Sequence, residues 1–214
     1  MRSETKVKCL QDFTARRSSR HAVILAGGDG TRLKALTRLV AGDDCPKQFC
    51  PIVGDESLLD KTRNRTSLRI SPDNTHFSLT RKHERHFAGR LSNVHSSRLV
   101  VQPENRGTAP AILYSLLRLA KTTADATVAF FPSDHYFSDD LSFMNHVDGA
   151  FRTIETDPRS IVLLGIEPDA AETSYGWIEP AKSLFGDLAR SVSRVGRFWE
   201  KPTSDVAKQW MSPG

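Results

Sequence analysis

The sequence predicts an α/β protein: a Rossmann-like, doubly wound, mixed but mainly parallel sheet with helices on both faces. Three observations carry that expectation. The first is a short apolar run, residues 21–26 (HAVILA), bounded by polar residues and then glycines; such runs fit a strand buried on both faces. The second is the recurrence of similar runs at 75–80, 98–102, 127–132 and 160–166. The third is the helical spacing between them. Strands alternating with helices imply βαβ crossovers, and right-handed crossovers place helices on both faces.

The helical segments follow in order. Residues 57–70 and 81–91 carry weaker patterns. In 108–121, Ile112, Leu113, Leu116, Leu117 and Ala120 recur at i, i+3 and i+4; in 141–156, Phe143, Met144, Val147, Phe151 and Ile154 do the same. Beyond Gly165 the texture changes. Residues 175–180 and 190–201 read as extended, Pro202 ends the second segment, and 203–211 begins a helix.

The 214 residues are 38% hydrophobic and 26% charged. A chain of this size buries about 70% of its unfolded surface and needs no staples. The composition excludes collagen, a disulfide scaffold and wholesale disorder, and no apolar run reaches membrane-spanning length. Cys9, Cys45 and Cys50 form no framework or zinc spacing and read as reduced thiols in a cytoplasmic protein. Residues 1–20 lack the apolar stretch of a secretory signal and are expected to be a mobile basic tail, leaving 21–214 as the domain. Residues 1–100 hold 19 Lys and Arg against 10 Asp and Glu. That excess suits an anionic ligand; a solvated basic surface is the simpler reading from charge alone. A nucleic-acid binder is not expected, because neither interleaved aromatics nor a recognition motif accompanies the charge.

In such folds ligands sit beyond the carboxyl ends of the strands, so the residues after each strand matter most. The first strand runs into Gly27-Gly28-Asp29-Gly30-Thr31-Arg32-Leu33. Closely spaced glycines permit positive φ and let several N–H groups face one anion. Arg32 adds a planar fork of donors suited to phosphate. The string is neither GxxxxGK[ST] nor GxGxxG, since Leu33 stands where the last glycine belongs.

Residues 25–33 (LAGGDGTRL) followed by Pro46-Lys47-Gln48-Phe49 resemble the signature of sugar-1-phosphate nucleotidyltransferases. The PKQF form is similar to the mannose-1-phosphate guanylyltransferase (GDP-mannose pyrophosphorylase) branch. Residues 102–111 (QPENRGTAPA) resemble the family's base-recognition segment, 131–135 (FPSDH) its metal-aspartate motif, and 175–179 and 198–202 its sugar-binding segments. The resemblance covers roughly residues 21–212.

The resemblance implies a nucleotide-diphospho-sugar transferase fold. It also implies attack of a sugar 1-phosphate on the α-phosphorus of an NTP, giving NDP-sugar and pyrophosphate. GTP and mannose 1-phosphate are the expected substrates; dTTP or UTP with glucose 1-phosphate is the alternative. Arg32, Lys47 and Asp134 are the implied catalytic residues. Gly27, Gly28, Asp29, Gly30, Thr31, Gln102 and Thr108 are implied to bind nucleotide. Gly176, Glu200 and Lys201 are implied to bind the sugar phosphate, and Asp134 to hold Mg²⁺. Each has a plainer reading: Lys47 as a surface lysine, Asp134 and Thr108 as helix caps, His135 as packing, and Glu200–Lys201 as an exposed ion pair at a strand end. The sequence departs from the family at Asp29, where many guanylyltransferases carry Ser, and at Lys34-Ala35-Leu36. The family also continues beyond the EKP segment to a further strand and a second metal aspartate. The expectation is therefore a domain incomplete at its C-terminal end. A catalytically impaired binding remnant and a homo-oligomer are both compatible with that.

Overall fold

The computed structural model describes residues 20–181 and 192–211. It divides the chain into two compact units, 1–162 and 163–214. In the first unit four strands, β1 (Arg20–Leu25), β2 (Thr75–Thr80), β3 (Leu99–Gln102) and β4 (Thr127–Pro132), form one sheet in the order β3-β2-β1-β4. All its pairings are parallel. The antiparallel pairing expected of a mixed sheet is confined to a separate two-stranded sheet in the second unit.

The register aligns the strand ends. Leu25 pairs with Ser78 and Pro132, and Thr80 pairs with Gln102. The chain moves outward from β1 to β3, then crosses back to β4 on the other side of β1. This reversal is a topological switch point, and the crevice beyond the carboxyl ends of β1 and β4 is the expected ligand position.

Helix α1 (Lys34–Ala41) follows the glycine loop, and a single 3₁₀ turn spans Lys47–Phe49. Helix α2 (Leu58–Ser67) starts where Ser57 Oγ accepts from the Asp60 N–H, a normal N-cap. Helix α3 (Glu84–Phe87) is one turn long. Helices α4 (Thr108–Ala120) and α5 (Asp140–Thr156) flank β4 in sequence. Helix α2 packs on β1 and α5, while α4 packs on β2 and β3. Ile24, Phe49, Leu59, Phe77, Leu79, Leu91, Met144 and Phe151 form the core.

Four expectations are corrected. Order begins one residue earlier, at Arg20; residues 1–19 of the expected tail lie outside the described residues. The stripe assigned to 108–121 is rotated: Ser115 and Leu119 are the buried positions, and Leu113, Leu116 and Leu117 are exposed. Residues 160–166 form no strand. A strand exists through its ladder, and among the described residues β4 is paired on its β1 side only. The apolar run therefore has no neighbour, and Ile161 and Ile166 stay exposed. Finally, residues 81–91 form a 3₁₀ turn and the short α3 rather than one long helix.

In the second unit β5 (Gly176–Pro180) pairs antiparallel with β6 (Val195–Glu200), followed by helix α6 (Ser204–Met211). Trp210 of α6 lies against Trp177 and Trp199, with ring centroids 5.6 and 5.1 Å away. Residues 190 and 191 of the expected extended segment lie outside the described residues.

Candidate functional site

The glycine loop is anchored by its carbonyls. Gln48 Nε2 donates to Ala26 O at 2.9 Å and to Gly28 O at 2.8 Å. Thr80 Oγ1 donates to Gly27 O at 2.8 Å. Among the described residues no peptide is cis, and a trans peptide points its N–H opposite to its carbonyl. Three consecutive anchored carbonyls thus aim the N–H groups of Gly27, Gly28 and Asp29 away from their anchors. That is the arrangement of an anion-binding nest.

Two glycines are required sterically. A Cβ at Gly27 would lie 2.8 Å from Thr80 Oγ1, and Gly30 has φ 60° with its backbone against Lys47. Gly28 faces open space. Thr31 and Arg32 begin the 3₁₀ turn Thr31–Leu33, both exposed.

The PKQF segment does two jobs. Buried Gln48 and Phe49 hold it under the loop, and the adjacent Lys47 reaches outward. Lys47 Nζ forms an ion pair with Asp134 Oδ2. Asp134 is placed by Ser133, whose N–H and Oγ both donate to Leu25 O, at 3.2 and 2.8 Å. Two motifs far apart in sequence thus meet across the switch point. Behind Asp134, Arg65 pairs with Asp140, donates to His135 O at 3.3 Å and stacks over Phe137 at 4.6 Å.

Asp29 faces the loops after β2 and β3. It forms an ion pair with Lys82, lies 3.5 Å from His83 Nε2 and accepts from Asn105 Nδ2 at 3.3 Å. Burial pushes its carboxyl up, but Lys82 and Asn105 outweigh that and hold it below the usual range. Burial, reinforced by Lys82, lowers the His83 imidazole.

Gln102 is buried and donates to Ser78 Oγ at 3.2 Å, beneath the loop. Thr108 is the exposed first residue of α4; the cap itself is Gly107, at φ 93°. In the second unit Gly176 pairs with Glu200, and a Cβ on it would lie 2.3 Å from the Phe198 ring. Glu200 forms an exposed ion pair with Lys201 at 3.2 Å, and Lys201 has φ 46°.

The structure therefore gathers Gly27, Gly28, Asp29, Gly30, Lys47, Gln102 and Asp134 at one rim of the sheet. It groups Gly176, Glu200 and Lys201 within the second unit. The sequence alone assigns no role to Gln48, Thr80, Ser133, Arg65 or Lys82. Gln48 sits inside the PKQF motif, and Lys82 follows a strand whose bounds the sequence predicts, so both were findable.

A parallel sheet with an anchored glycine loop and a Lys–Asp pair at its switch point defines an α/β domain of the nucleotide-phosphate-binding kind. The family model described as nucleotidyl transferase matches residues 21–214. The chain belongs to the nucleotidyl transferase family. It is 34% identical to the xanthan biosynthesis protein XanB of Xanthomonas campestris over 197 residues, 90% of this chain and 39% of the relative. It is 32% identical to a mannose-1-phosphate guanylyltransferase of Klebsiella pneumoniae over 90% of this chain and 40% of that protein. The solved mannose-1-phosphate geranyltransferase of Thermus thermophilus superposes with TM-score 0.76 at 28% identity, covering 90% of this chain and 53% of that one. The chain thus spans about two fifths of the length of these curated relatives. No helix among the described residues is long and apolar enough to cross a membrane.

Proposed function

We propose that the rim crevice transfers a nucleotidyl group from GTP to mannose 1-phosphate, releasing pyrophosphate. The relatives' names support the substrate pair. The observation that carries the reaction class is the meeting of Lys47 with Asp134 beside the anchored glycine loop.

In this reaction a phosphate oxygen of the sugar 1-phosphate attacks the α-phosphorus in line. The bond from that phosphorus to the β-phosphate oxygen breaks, and pyrophosphate leaves. All partners are anionic, so catalysis is positioning and charge neutralisation. The loop N–H groups of residues 27–29 and Thr31 receive the nucleotide phosphates, and Arg32 holds the departing pyrophosphate. Lys47 sits between the α-phosphate and the incoming phosphate and offsets their repulsion. Gln102 and Thr108 line the base side; Gly176, Glu200 and Lys201 take the sugar phosphate.

Asp134 fits Mg²⁺ as one ligand. Its carboxylate already faces a cation, and Mg²⁺ commonly takes one or two carboxylates with substrate phosphates and water completing the shell. Among the described residues no three acidic, His or Cys side chains converge to hold a metal unaided. When bound, the ion supplies charge neutralisation at the phosphates.

The test is pyrophosphate release with Mg²⁺ across four NTPs and two hexose 1-phosphates, with Asp134→Asn as control. Release that needs GTP and mannose 1-phosphate and is lost in Asp134→Asn is the expected result. No release from a folded sample overturns the reading.

A further inference from the structure

A carboxylate is the wrong charge for a phosphate cradle, yet Asp29 lies in the middle of this one. Its neighbours on either side are glycines, and its own N–H belongs to the three aimed away from anchored carbonyls. Nothing in the local geometry neutralises it by protonation. Its partners lower its affinity for a proton, so it is fully charged at neutral pH. Compensation comes from outside the loop. Lys82, two residues beyond β2, forms the ion pair; His83 Nε2 stands 3.5 Å away; Asn105, beyond β3, donates at 3.3 Å. Burial keeps His83 neutral, so Lys82 is the cation that faces Asp29.

We propose that Lys82 is a positioning residue for the nucleotide's phosphates, acting through Asp29. Its ammonium cancels the loop's own negative charge. With Asn105 it also fastens the loop to the ends of β2 and β3, so that the anchored N–H groups meet a triphosphate without an opposing carboxylate. This rests on the nucleotide-binding reading given above. Lys82 is half exposed and engaged by Asp29, so its contribution is to the loop's potential rather than to a phosphate contact. The penalty for removing it therefore grows with the number of phosphates on the ligand.

Calorimetric binding with Mg²⁺ tests this on the wild-type chain, Lys82→Ala, Lys82→Arg, Asp29→Asn and the Asp29→Asn/Lys82→Ala pair. The probes are the NTP that the wild type binds best and its monophosphate. Lys82→Ala is expected to weaken NTP binding about tenfold, the size of one uncompensated charge near a surface, and to weaken the monophosphate less than about threefold. The double variant returns to within about threefold of wild type, because the charge needing compensation is gone. Lys82→Arg retains binding. Equal affinities of wild type and Lys82→Ala overturn the inference. So does a double variant as weak as Lys82→Ala, which makes Lys82 itself a phosphate ligand. A wild-type chain that binds no NTP removes the functional reading instead, so the two failures are distinguishable.

Discussion

The two ends of one sheet treat ionic pairs in opposite ways. At the amino end of β1, Arg20 donates to Asp148 at 2.6 Å and to Glu155 at 2.7 Å, with its guanidinium 5.0 Å from the centre of the Phe151 ring. The Arg20 and Asp148 side chains are 6% and 8% exposed. At the carboxyl end, Lys47 and Asp134 are 33% and 27% exposed, and Lys82 and Asp29 are 53% and 34% exposed. A buried pair cannot exchange its partner without stranding a charge in low dielectric. A partly exposed pair can, because water and incoming phosphate both compensate it. The same strand thus ends in a fixed anchor on one side and in replaceable charges on the other. Lysines dominate the replaceable pairs and arginine the fixed one, as their hydration and donor geometry favour.

Removing a charge from each end sharpens that contrast. Lys47→Ala is expected to lower the rate of pyrophosphate release by a factor of about 10² to 10³, the usual cost of one preorganised donor to developing charge. Its thermal midpoint should barely move, because partly exposed pairs contribute about 1 kcal/mol or less. A stopped assay alongside a melting curve reads both. A large fall in stability with unchanged turnover would reverse the roles assigned to the two ends.

Arg20→Leu should do the opposite. It leaves Asp148 with Arg152 alone and strips Glu155 of its Arg20 partner. The expected loss is about 3 kcal/mol in denaturant unfolding, with nucleotide affinity retained in the fraction that is folded.

The amino end also carries a pH dependence. His21 Nδ1 and His76 Nε2 lie 3.2 Å apart, both buried. Burial, then His21 and Arg98, push His76 down to about 4, and burial lowers His21 too. The unfolded chain takes up a proton on each near pH 6.5. Between there and the folded values the unfolded state binds more protons, so stability is full above about 6.5 and falls as the pH drops. His76 alone predicts a loss of about 2 kcal/mol from pH 7 to pH 5. Unfolding titrations at the two pH values check it, and His76→Phe should flatten the slope.

The same contrast explains what is legible in the sequence. β2 and β4 are bounded to the residue, because each is a short apolar run whose neighbours in the ladder are themselves runs of the same kind. The run at 160–166 has the same texture and forms no strand, since pairing depends on a neighbour that composition does not reveal. The glycine loop is legible because glycine's backbone freedom is written in its identity. Its anchoring by Gln48 and Thr80 is not, because a hydrogen bond from a distant side chain leaves no periodic trace. Asp29 stands out as a departure from its family, but its compensation by Lys82 requires two strand ends to be brought into register.

The smallest effect lies in the second unit, at Glu200. Its pair with Lys201 is exposed on both sides, at 65% and 59%. Glu200→Gln should therefore change stability by less than about 0.5 kcal/mol. If Glu200 receives sugar hydroxyls, the same substitution raises KM for mannose 1-phosphate and leaves KM for the nucleotide alone. A KM that does not move would leave Glu200 a strand-end ion pair, with the sugar phosphate held elsewhere. The outcome depends on where a weak pair stands, because an exposed ion pair that adds almost nothing to folding is free to change partners when a ligand arrives.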